Sequence, residues 1–459
     1  MKEFAALDRF ILEKVSETKL PGLSIVAVRD GKLVYGRGFG LRDIVGGKPA
    51  TPETLYCIGS VTKSFTCIAL MQLQEKGLLS VEDEIGRHIP FDMRVKGEPV
   101  RIWHLMSHSS GVPALASAEA ILRHTMKSAD TWLPLVNGDD IYTFMDEAEQ
   151  WAHCKPGERW FYLNEGYKLL GEIIEKVSGE KYTDYVKKHI FTPLGMSRSF
   201  FSREDVDCDH DVATPYIITR DGERLPSTYP YGILSSEGGL ISSATDMAKY
   251  ISMYLNEGSC SSGSIVTKES LTEMMKPRVK TPYNPWVSRH ARYYGFGLGS
   301  TQDSWGNIEV NHGGSVTTAT AQLAFIPEKR VGVIALANAT GYPLSYIADY
   351  ALAVLMGNDP EQLPVIRFER SLAEVEGVYE TYKGTMKCKV MRRGSLLSLE
   401  IGDRYREVSV PLIPIDWLGD VKHFEALVGD MKQTMEVYSD GGKQYLIYER
   451  YKMKKVGKI

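Results

Sequence analysis

The chain has 459 residues, a length that predicts two or three domains rather than one. Apolar residues make up 43% of it and charged residues 24%, which is typical of soluble globular proteins and excludes disorder for most of the chain. The formal net charge of −4 argues against a nucleic-acid-binding protein, which usually carries a basic face. No apolar run of about 18 residues is present, so we expect no membrane-spanning helix and no membrane partner.

The start of the chain and its cysteines indicate the cellular compartment. Glu3 and Asp8 come early, and no apolar segment of a signal peptide follows them. The six cysteines are spread thinly, without a CxxC pair or a dense disulfide pattern. We therefore expect reduced thiols and a cytoplasmic protein. A secreted chain from which a leader had been removed would have the same pattern.

The first elements are a helix and a pair of strands. Apolar residues recur at helical spacing near the start of the chain: Phe4, Leu7, Ile11 and Val15. Two β-rich runs follow over residues 23–35, separated by Asp30-Gly31, which predicts a hairpin.

The pattern then alternates between helices and strands. Residues 60–76 are apolar on most sides and predict a buried helix that ends at Gly77. Further helices are predicted over residues 166–177, 182–190, 244–255 and 344–356. Strands are predicted over residues 294–298, 308–311, 321–326 and 331–337.

A domain boundary follows the last of these helices. Residues 357–364 are polar and contain two prolines, as linkers often do. Beyond them the chain has short alternating runs with glycine turns between them, which predicts a small antiparallel barrel. We therefore expect one domain over residues 1–357, a linker over 358–370 and a barrel over 371–459.

Ser60 and Lys63 form the first pattern with chemical content. They lie three residues apart at the start of a predicted buried helix, so their side chains share one face and can touch. A serine hydroxyl needs a base before it becomes a good nucleophile. Burial favours the neutral form of a lysine, which can accept that proton. The helix N-terminus also favours negative charge that develops near Ser60.

By itself this pattern is more often a helix-capping serine followed by a surface lysine. Two later segments change that interpretation because they follow it in order. Tyr162 and Asn164 stand well downstream, and residues 312–315 (HGGS) come directly after a strand-like run.

Together these segments resemble the three motifs of the penicillin-recognising serine hydrolases: Ser-x-x-Lys, Tyr-x-Asn and a Lys/His-x-Gly strand. The similar branch contains class C β-lactamases, D-aminopeptidases, DD-carboxypeptidases and related esterases. Shorter segments also match it: residues 105–111 (LMSHSSG), 156–157 (PG), 193–196 (PLGM) and 238–246 (GGLISSATD). The resemblance covers residues 5–356 or so, and the C-terminal barrel is similar to lipocalin-like modules of some peptidases in this branch.

The resemblance implies an α+β fold. We expect a β-lactamase/transpeptidase-like antiparallel sheet flanked by helices, with a helical region between residues 80 and 230. A C-terminal all-β, lipocalin-like barrel should follow.

The resemblance also implies roles for single residues. Ser60 is the expected nucleophile, Lys63 its proton acceptor or the group that tunes its neighbours, and Tyr162 the phenolic base that relays a proton to the leaving group. A phenol titrates near 10, so Tyr162 would need Lys63 and His312 nearby to act as a phenolate. Asn164 would hold the substrate amide and Lys63.

The third motif would bind substrate along its strand edge. Gly313 and Gly314 would let the substrate approach without a Cβ in the way. The backbone N–H of Ser315, with that of Ser60, would form the oxyanion hole. His312 stands where β-lactamases carry a lysine that holds the substrate carboxylate. Since histidine is mostly neutral at pH 7, we expect weak or no β-lactamase activity.

Three functions remain open from the sequence. The first is a peptidase that cleaves small or D-residue-containing peptides. The second is a carboxylesterase acting on short-chain esters with the same residues. The third is a non-catalytic, penicillin-binding-like scaffold, which the intact motifs disfavour. The chemistry needs no metal and no organic cofactor, and a zinc site at His104 and His108 is not expected because no third ligand follows. The barrel also offers a surface for homo-oligomerisation.

Overall fold

An antiparallel sheet of nine strands forms the centre of the first unit. Its strands, in spatial order, are Val279–Thr281, Arg292–Tyr294, Gly299–Gln302, Ile308–Ser315, Thr320–Ile326, Val331–Ala337, Gly22–Arg29, Lys32–Asp43 and Lys48–Pro49. The computed structural model describes residues 3–131, 133–232, 234–288, 290–428 and 431–459. The chain forms two compact units: Met1–Tyr283 with His290–Asn358, and Asn284–Arg289 with Asp359–Ile459.

The middle of the sheet is buried because its strands are apolar on successive residues. All seven residues of Val331–Ala337 are buried, as are the first seven of Gly22–Arg29. Such continuous runs indicate strands that are covered on both faces. The helices Ala244–Leu255 and Leu344–Leu355 pack against these strands and bury their apolar sides there.

A helical region fills the space between the early and late strands, as the sequence predicts. The helices of the first unit are Ala5–Thr18, Thr62–Glu75, Ile102–Met106, Ser117–Thr125, Gly138–Met145, Asn164–Ser178, Tyr182–Val186, Thr192–Leu194, Arg203–Asp207, Ala244–Leu255, Lys268–Met275 and Leu344–Leu355. Small sheets join Leu55–Cys57, Ile241–Ser243 and Ser199–Phe200, and pair Arg94–Val95 with Glu98–Pro99, Tyr216–Ile218 with Arg224–Pro226, and Ser259–Cys260 with Gly263–Ser264.

The helix Thr62–Glu75 is called the central helix below. Every residue from Thr62 to Leu73 is buried, which confirms the prediction of a helix that is covered on all sides. A helix in such surroundings cannot shift easily, because its side chains interdigitate with close-packed neighbours. It therefore gives a rigid base to the 3-10 turn Gly59–Val61 that precedes it.

One predicted strand is wrong. Tyr294 ends the strand Arg292–Tyr294, and residues 295–298 connect it to the strand Gly299–Gln302, where Gly295 N–H donates to Leu298 O at 2.8 Å. Gly297 has a φ of +67°, a left-handed conformation that a regular strand does not contain. Tyr294, Phe296 and Leu298 are buried although the chain turns here. Because they alternate with glycines, the sequence of this stretch resembles that of a strand.

The second unit is a closed barrel, which confirms the predicted C-terminal all-β domain. Its eight strands are Gly377–Glu380, Lys387–Arg393, Leu396–Gly402, Glu407–Asp416, Val421–Val428, Met431–Asp440, Lys443–Tyr448 and Tyr451–Gly457. The helix Pro364–Val375 contributes Phe368, Leu372 and Val375 to the barrel core, so ordered helix occupies part of the segment 358–370. Trp286, from the short segment Asn284–Arg289, stacks parallel to Phe368 with 6.4 Å between ring centroids.

The two units together give the expected α+β class with a separate all-β barrel. Among the helices that the structure describes, none is both long and apolar enough to cross a membrane.

Candidate active site

Ser60 lies in the turn that enters the central helix. Gly59, directly before it, has a φ of +53°, and a Cβ there would lie 2.6 Å from Ser315 N. Glycine is therefore required for both the backbone conformation and the close approach. The turn is held against the end of the strand Ile308–Ser315, called the His312 strand below.

Lys63 points back at Ser60 from the first turn of the central helix. Its Nζ lies 3.1 Å from Ser60 Oγ, 2.8 Å from Asn164 Oδ1 and 2.6 Å from the backbone oxygen of Glu237. The amide and carbonyl oxygens can only accept, so they use two N–H donors of Lys63. The remaining position on Nζ faces Ser60 Oγ, where a proton can pass in either direction.

The Lys63 side chain is fully buried, with an exposed fraction of 0%. Burial lowers its pKa from 10.5 to about 8, and the charge of Glu237 is the largest effect that opposes this change. A substantial fraction of Lys63 is therefore neutral just above neutral pH. The sequence-based expectation of a tuned lysine is compatible with this environment.

Tyr162 approaches Ser60 from the loop before the helix Asn164–Ser178. It is half-buried, the Ser60 hydroxyl is close enough to lower its pKa, and Lys63 Nζ lies 4.8 Å from the centre of its ring. Burial raises the pKa of Tyr162 above its ordinary value, and this effect exceeds the opposing effect of the Ser60 hydroxyl. In this state Tyr162 is thus a neutral phenol rather than a phenolate.

The helix Asn164–Ser178, called the Asn164 helix below, begins at the residue that contacts Lys63. Leu163 precedes it in an extended conformation, and its N–H donates to His108 Nδ1 at 3.0 Å. This bond fixes the start of the helix, so Asn164 Oδ1 can receive the Lys63 hydrogen bond. The proton of neutral His108 is then on Nε2, for which the described residues supply no hydrogen-bond partner.

His312 is buried in the His312 strand and is engaged on both ring nitrogens. Tyr294 OH lies 2.7 Å from Nε2, and Gly313 O lies 2.6 Å from Nδ1. Because a carbonyl only accepts, Nδ1 carries the proton and Nε2 accepts from Tyr294. Burial lowers the pKa of His312 to about 4, with the Lys63 charge as the next contribution. His312 is therefore neutral near pH 7 and adds no positive charge for a substrate carboxylate.

The glycines of the third motif make the approach of strand and turn possible. A Cβ on Gly314 would lie 1.9 Å from Ile58 O and 3.2 Å from Ser60 N. Gly313 and Ser315 are exposed on the alternate positions of the same strand. The backbone at Ser60 and Ser315 thus lies side by side, which is the placement that the predicted oxyanion hole needs.

The structure therefore gathers Ser60, Tyr162 and Asn164 around Lys63, which is within hydrogen-bond distance of Ser60 and Asn164 and lies over the Tyr162 ring. Gly314 and Ser315 border Ser60, whereas Gly313 is on the exposed side of the strand. His312 faces inward to Tyr294, and its ring centroid is 6.4 Å from that of Tyr162.

Sequence reasoning missed four residues that surround this cluster. They are His108, Tyr167, Glu237 and Tyr294. Glu237 and His108 lie beside or within segments that match the resembled family, which was the available signal. Tyr167 and Tyr294 have no local signal, because only the packing of distant elements makes them neighbours of Lys63 and His312.

Both parts of the chain match known protein families. Residues 7–356 match the Beta-lactamase family, and residues 360–454 match the Pab87 octamerisation domain. The octameric penicillin-binding protein homologue from Pyrococcus abyssi is 44% identical in sequence. It superposes with a TM-score of 0.92 over 98% of this chain and 99% of its own.

Two further relatives are more distant. Protein flp of Staphylococcus aureus (strain MW2) is 25% identical over 342 residues, which are 72% of this chain. This chain therefore spans only 62% of the length of flp. A D-stereospecific amidohydrolase from Streptomyces sp. shares the fold, with a TM-score of 0.61 and 21% identity over 77% of this chain and 99% of its own.

These matches confirm the family that the three motifs indicated. The Beta-lactamase match spans well over half of the chain and includes Ser60, Lys63, Tyr162 and Asn164. The protein therefore belongs to the beta-lactamase family, with a second, barrel-forming domain of the Pab87 octamerisation type.

Proposed function

We propose that this protein is a serine hydrolase that forms an acyl-enzyme on Ser60 and cleaves small peptides with a free amino end, including those with D-residues. The observation that carries the proposal is the 3.1 Å contact of Ser60 Oγ with the buried Lys63, whose Nζ also lies 4.8 Å from the centre of the Tyr162 ring. A hydroxyl with a proton acceptor and a proton donor on either side is equipped for covalent acyl transfer.

In acylation, neutral Lys63 accepts the Ser60 proton while Oγ bonds to the substrate carbonyl carbon. The carbonyl π electrons move onto oxygen, where the N–H groups of Ser60 and Ser315 stabilise the charge. When the carbonyl re-forms, the bond to the leaving amine breaks and Tyr162 protonates that amine. Lys63 then passes the proton from Ser60 to Tyr162, so both groups return to their starting states and the net change is one proton moved from Ser60 to the amine.

Water completes the cycle by the same steps. It attacks the ester carbonyl and gives one proton to Lys63; as the carbonyl re-forms, the bond to Ser60 Oγ breaks and Oγ takes that proton back from Lys63. The raised pKa of Tyr162 supports its part as a donor, since a phenol that stays protonated at neutral pH can give its proton to an amine.

Glu119 supports a substrate with a free amino end. It lies in the first turn of the helix Ser117–Thr125 and is exposed. Its charge raises the pKa of both Lys63 and Tyr162, so it lies on the side of the helix near the reaction centre. None of the ion pairs among the described residues involves Glu119. An unpaired carboxylate at this position suits a substrate ammonium group.

The packing of the same helix supports this orientation. Leu122, one turn after Glu119, packs against the apolar cluster that contains Val316. Val316 directly follows the His312 strand, so this face of the helix borders the substrate side of the site.

The state of His312 disfavours a β-lactamase. A fixed cation at this position would attract the carboxylate of a β-lactam, but His312 is neutral and both nitrogens are engaged within the protein. Substrates without a carboxylate at that position lose no binding energy when a neutral histidine stands in place of a cation. The same geometry can cleave short-chain esters, which need less activation of the leaving group.

The test uses a fluorophosphonate probe, D-alanyl p-nitroanilide and p-nitrophenyl butyrate, with Ser60→Ala and the surface variant Ser16→Ala. We expect labelling of Ser60 and turnover of the anilide, both retained in Ser16→Ala. In Ser60→Ala, turnover should fall by on the order of 10⁴-fold or more.

The other outcomes separate the alternatives. Turnover of the ester without the anilide would favour the carboxylesterase. Absence of labelling in the wild-type protein would instead favour the non-catalytic scaffold.

We also propose that the protein is a homo-oligomer assembled through its barrel. The support is the match of residues 360–454 to an octamerisation domain and the likeness over nearly the whole chain to an octameric homologue.

A further inference from the structure

A buried ion pair lies directly behind Lys63. Lys168 Nζ and Glu237 Oε1 are 3.4 Å apart, and their side chains are only 4% and 3% exposed. Buried ion pairs are costly to form and often less stabilising than an apolar pair of the same shape. Their presence next to the reaction centre therefore calls for a role in addition to stability.

The pair is joined to Lys63 through one residue. The backbone oxygen of Glu237 accepts a hydrogen bond from Lys63 Nζ at 2.6 Å, while its carboxylate faces Lys168. Asn164 and Lys168 are four residues apart and share one face of the Asn164 helix. One helix face thus holds Lys63 through Asn164 and holds Glu237 through Lys168.

The segment that carries Glu237 is fixed to the central helix on both sides. Thr66 Oγ1 donates to Ser236 O at 2.6 Å, and the Leu240 N–H donates to Thr62 Oγ1 at 3.2 Å. The backbone oxygen of Glu237 therefore cannot move away from Lys63 without breaking bonds to the same helix.

Other charged and titratable groups also surround Lys63. Carboxylates face it from the Asn164 helix and from the helix Ser117–Thr125, and a thiol faces it from its own helix: Glu165, Glu119 and Cys67. Aromatic and imidazole side chains face it from the other elements: Tyr162, Tyr167, His108 and His312. Glu237 nevertheless has the largest effect of any single charge on Lys63.

Glu237 and Lys63 titrate in the same pH range. Burial raises the pKa of Glu237 to about 7, with Lys168 as the largest opposing effect, and the pKa of Lys63 is about 8. A negative Glu237 raises the Lys63 pKa, so it keeps Lys63 protonated to higher pH. Its loss would leave Lys63 neutral at lower pH.

We propose that Glu237 is a positioning residue for acylation: its backbone oxygen fixes Lys63 Nζ beside Ser60, and its carboxylate, held by Lys168, sets the pH at which Lys63 becomes available as a base. This inference rests on the proposed serine hydrolase function and adds the group that controls its general base.

The test measures the rate of fluorophosphonate labelling of Ser60 from pH 5.5 to 9.5, which requires no assumption about the substrate. In the wild-type protein the rate should rise with pH and level off as Lys63 becomes neutral. In Glu237→Gln the rising limb should move about half a pH unit lower, with the largest difference from the wild type between pH 7 and 8, because the wild-type carboxylate is ionised only above its pKa of about 7. The plateau should fall slightly, because a less basic amine accepts a proton less readily.

Two further variants keep the result interpretable. Glu237→Gln removes the negative charge beside the buried Lys168 and could fail to fold, so Glu237→Gln/Lys168→Met removes both charges. It should also move the limb to lower pH, by less than Glu237→Gln alone, because the Lys168 charge that favours neutral Lys63 is removed as well. Glu223→Gln removes an exposed carboxylate outside the site and should leave the profile unchanged.

Two results would overturn the inference. One is a limb that does not move, with the rate reduced equally at every pH, which is the expected result for a merely structural role. The other is a limb that moves to higher pH. Absence of labelling in the wild-type protein would contradict the proposed function itself, and is distinguished from both because it needs no variant.

Discussion

Glu119 shows how one exposed side chain can select a substrate. Its carboxylate is unpaired among the described residues and raises the pKa of Lys63 and Tyr162 by its charge. A substrate ammonium bound there would gain a charge-assisted hydrogen bond, which is stronger than one between neutral groups.

We therefore expect Glu119→Gln to raise the KM for D-alanyl p-nitroanilide by about tenfold or more. Steady-state kinetics at pH 7 measure this change. The N-acetylated anilide is the matched control, since it has no ammonium group and its kinetics should not change. An equal loss on both substrates would show that Glu119 does not recognise the amino end.

At the scale of elements, the site depends on the contact between the turn Gly59–Val61 and the His312 strand. Gly314 lies at the closest point, where a Cβ would be 1.9 Å from Ile58 O. Backbone atoms cannot rotate out of the way as the end of a flexible side chain can. The strand and the turn would have to separate, and the N–H groups of Ser60 and Ser315 would separate with them.

We expect Gly314→Ala to reduce the labelling rate of Ser60 at least tenfold and to lower the Tm, because overpacking typically costs about 1–3 kcal/mol. Gly36→Ala is the matched control on another strand of the sheet, since its Cβ would reach the Pro52 and Val26 side chains only at an ordinary contact distance of 3.5 Å. Labelling kinetics and thermal unfolding of both variants test the expectation. Equal behaviour of the two variants would contradict it.

At the scale of the whole molecule, the barrel has an apolar exterior that needs an explanation. Ile415 is 60% exposed and Met431 56% exposed, and Val421 and Leu427 are exposed on the strand that pairs with both of theirs. Exposed apolar patches often mark association surfaces. This agrees with the proposed assembly through residues 360–454.

We expect size-exclusion chromatography with light scattering to give a mass several times that of one chain at micromolar concentration. Ile415→Glu should shift the protein toward smaller species. Val45→Glu changes an apolar residue that is 91% exposed in the first unit, and should leave the mass unchanged. A single-chain mass for the wild-type protein would contradict the proposed assembly.

Much of the fold could be predicted from local patterns. The central helix and the helix Ala244–Leu255 follow from the spacing of apolar residues, since helix periodicity depends only on near neighbours in the chain. Residues 294–298 could not be predicted, because an apolar stretch that turns at Gly297 has the same composition as a short strand.

The sequence by itself determined the contact between Ser60 and Lys63, because three residues of helix place both side chains on one face. It also determined the order of the motifs, and through them the family. The tertiary structure decided the charges around them. Glu237 is 174 residues from Lys63 in the chain, and Tyr294 is 18 residues from His312. Burial and hydrogen bonding by such distant partners set protonation, and no local pattern encodes them.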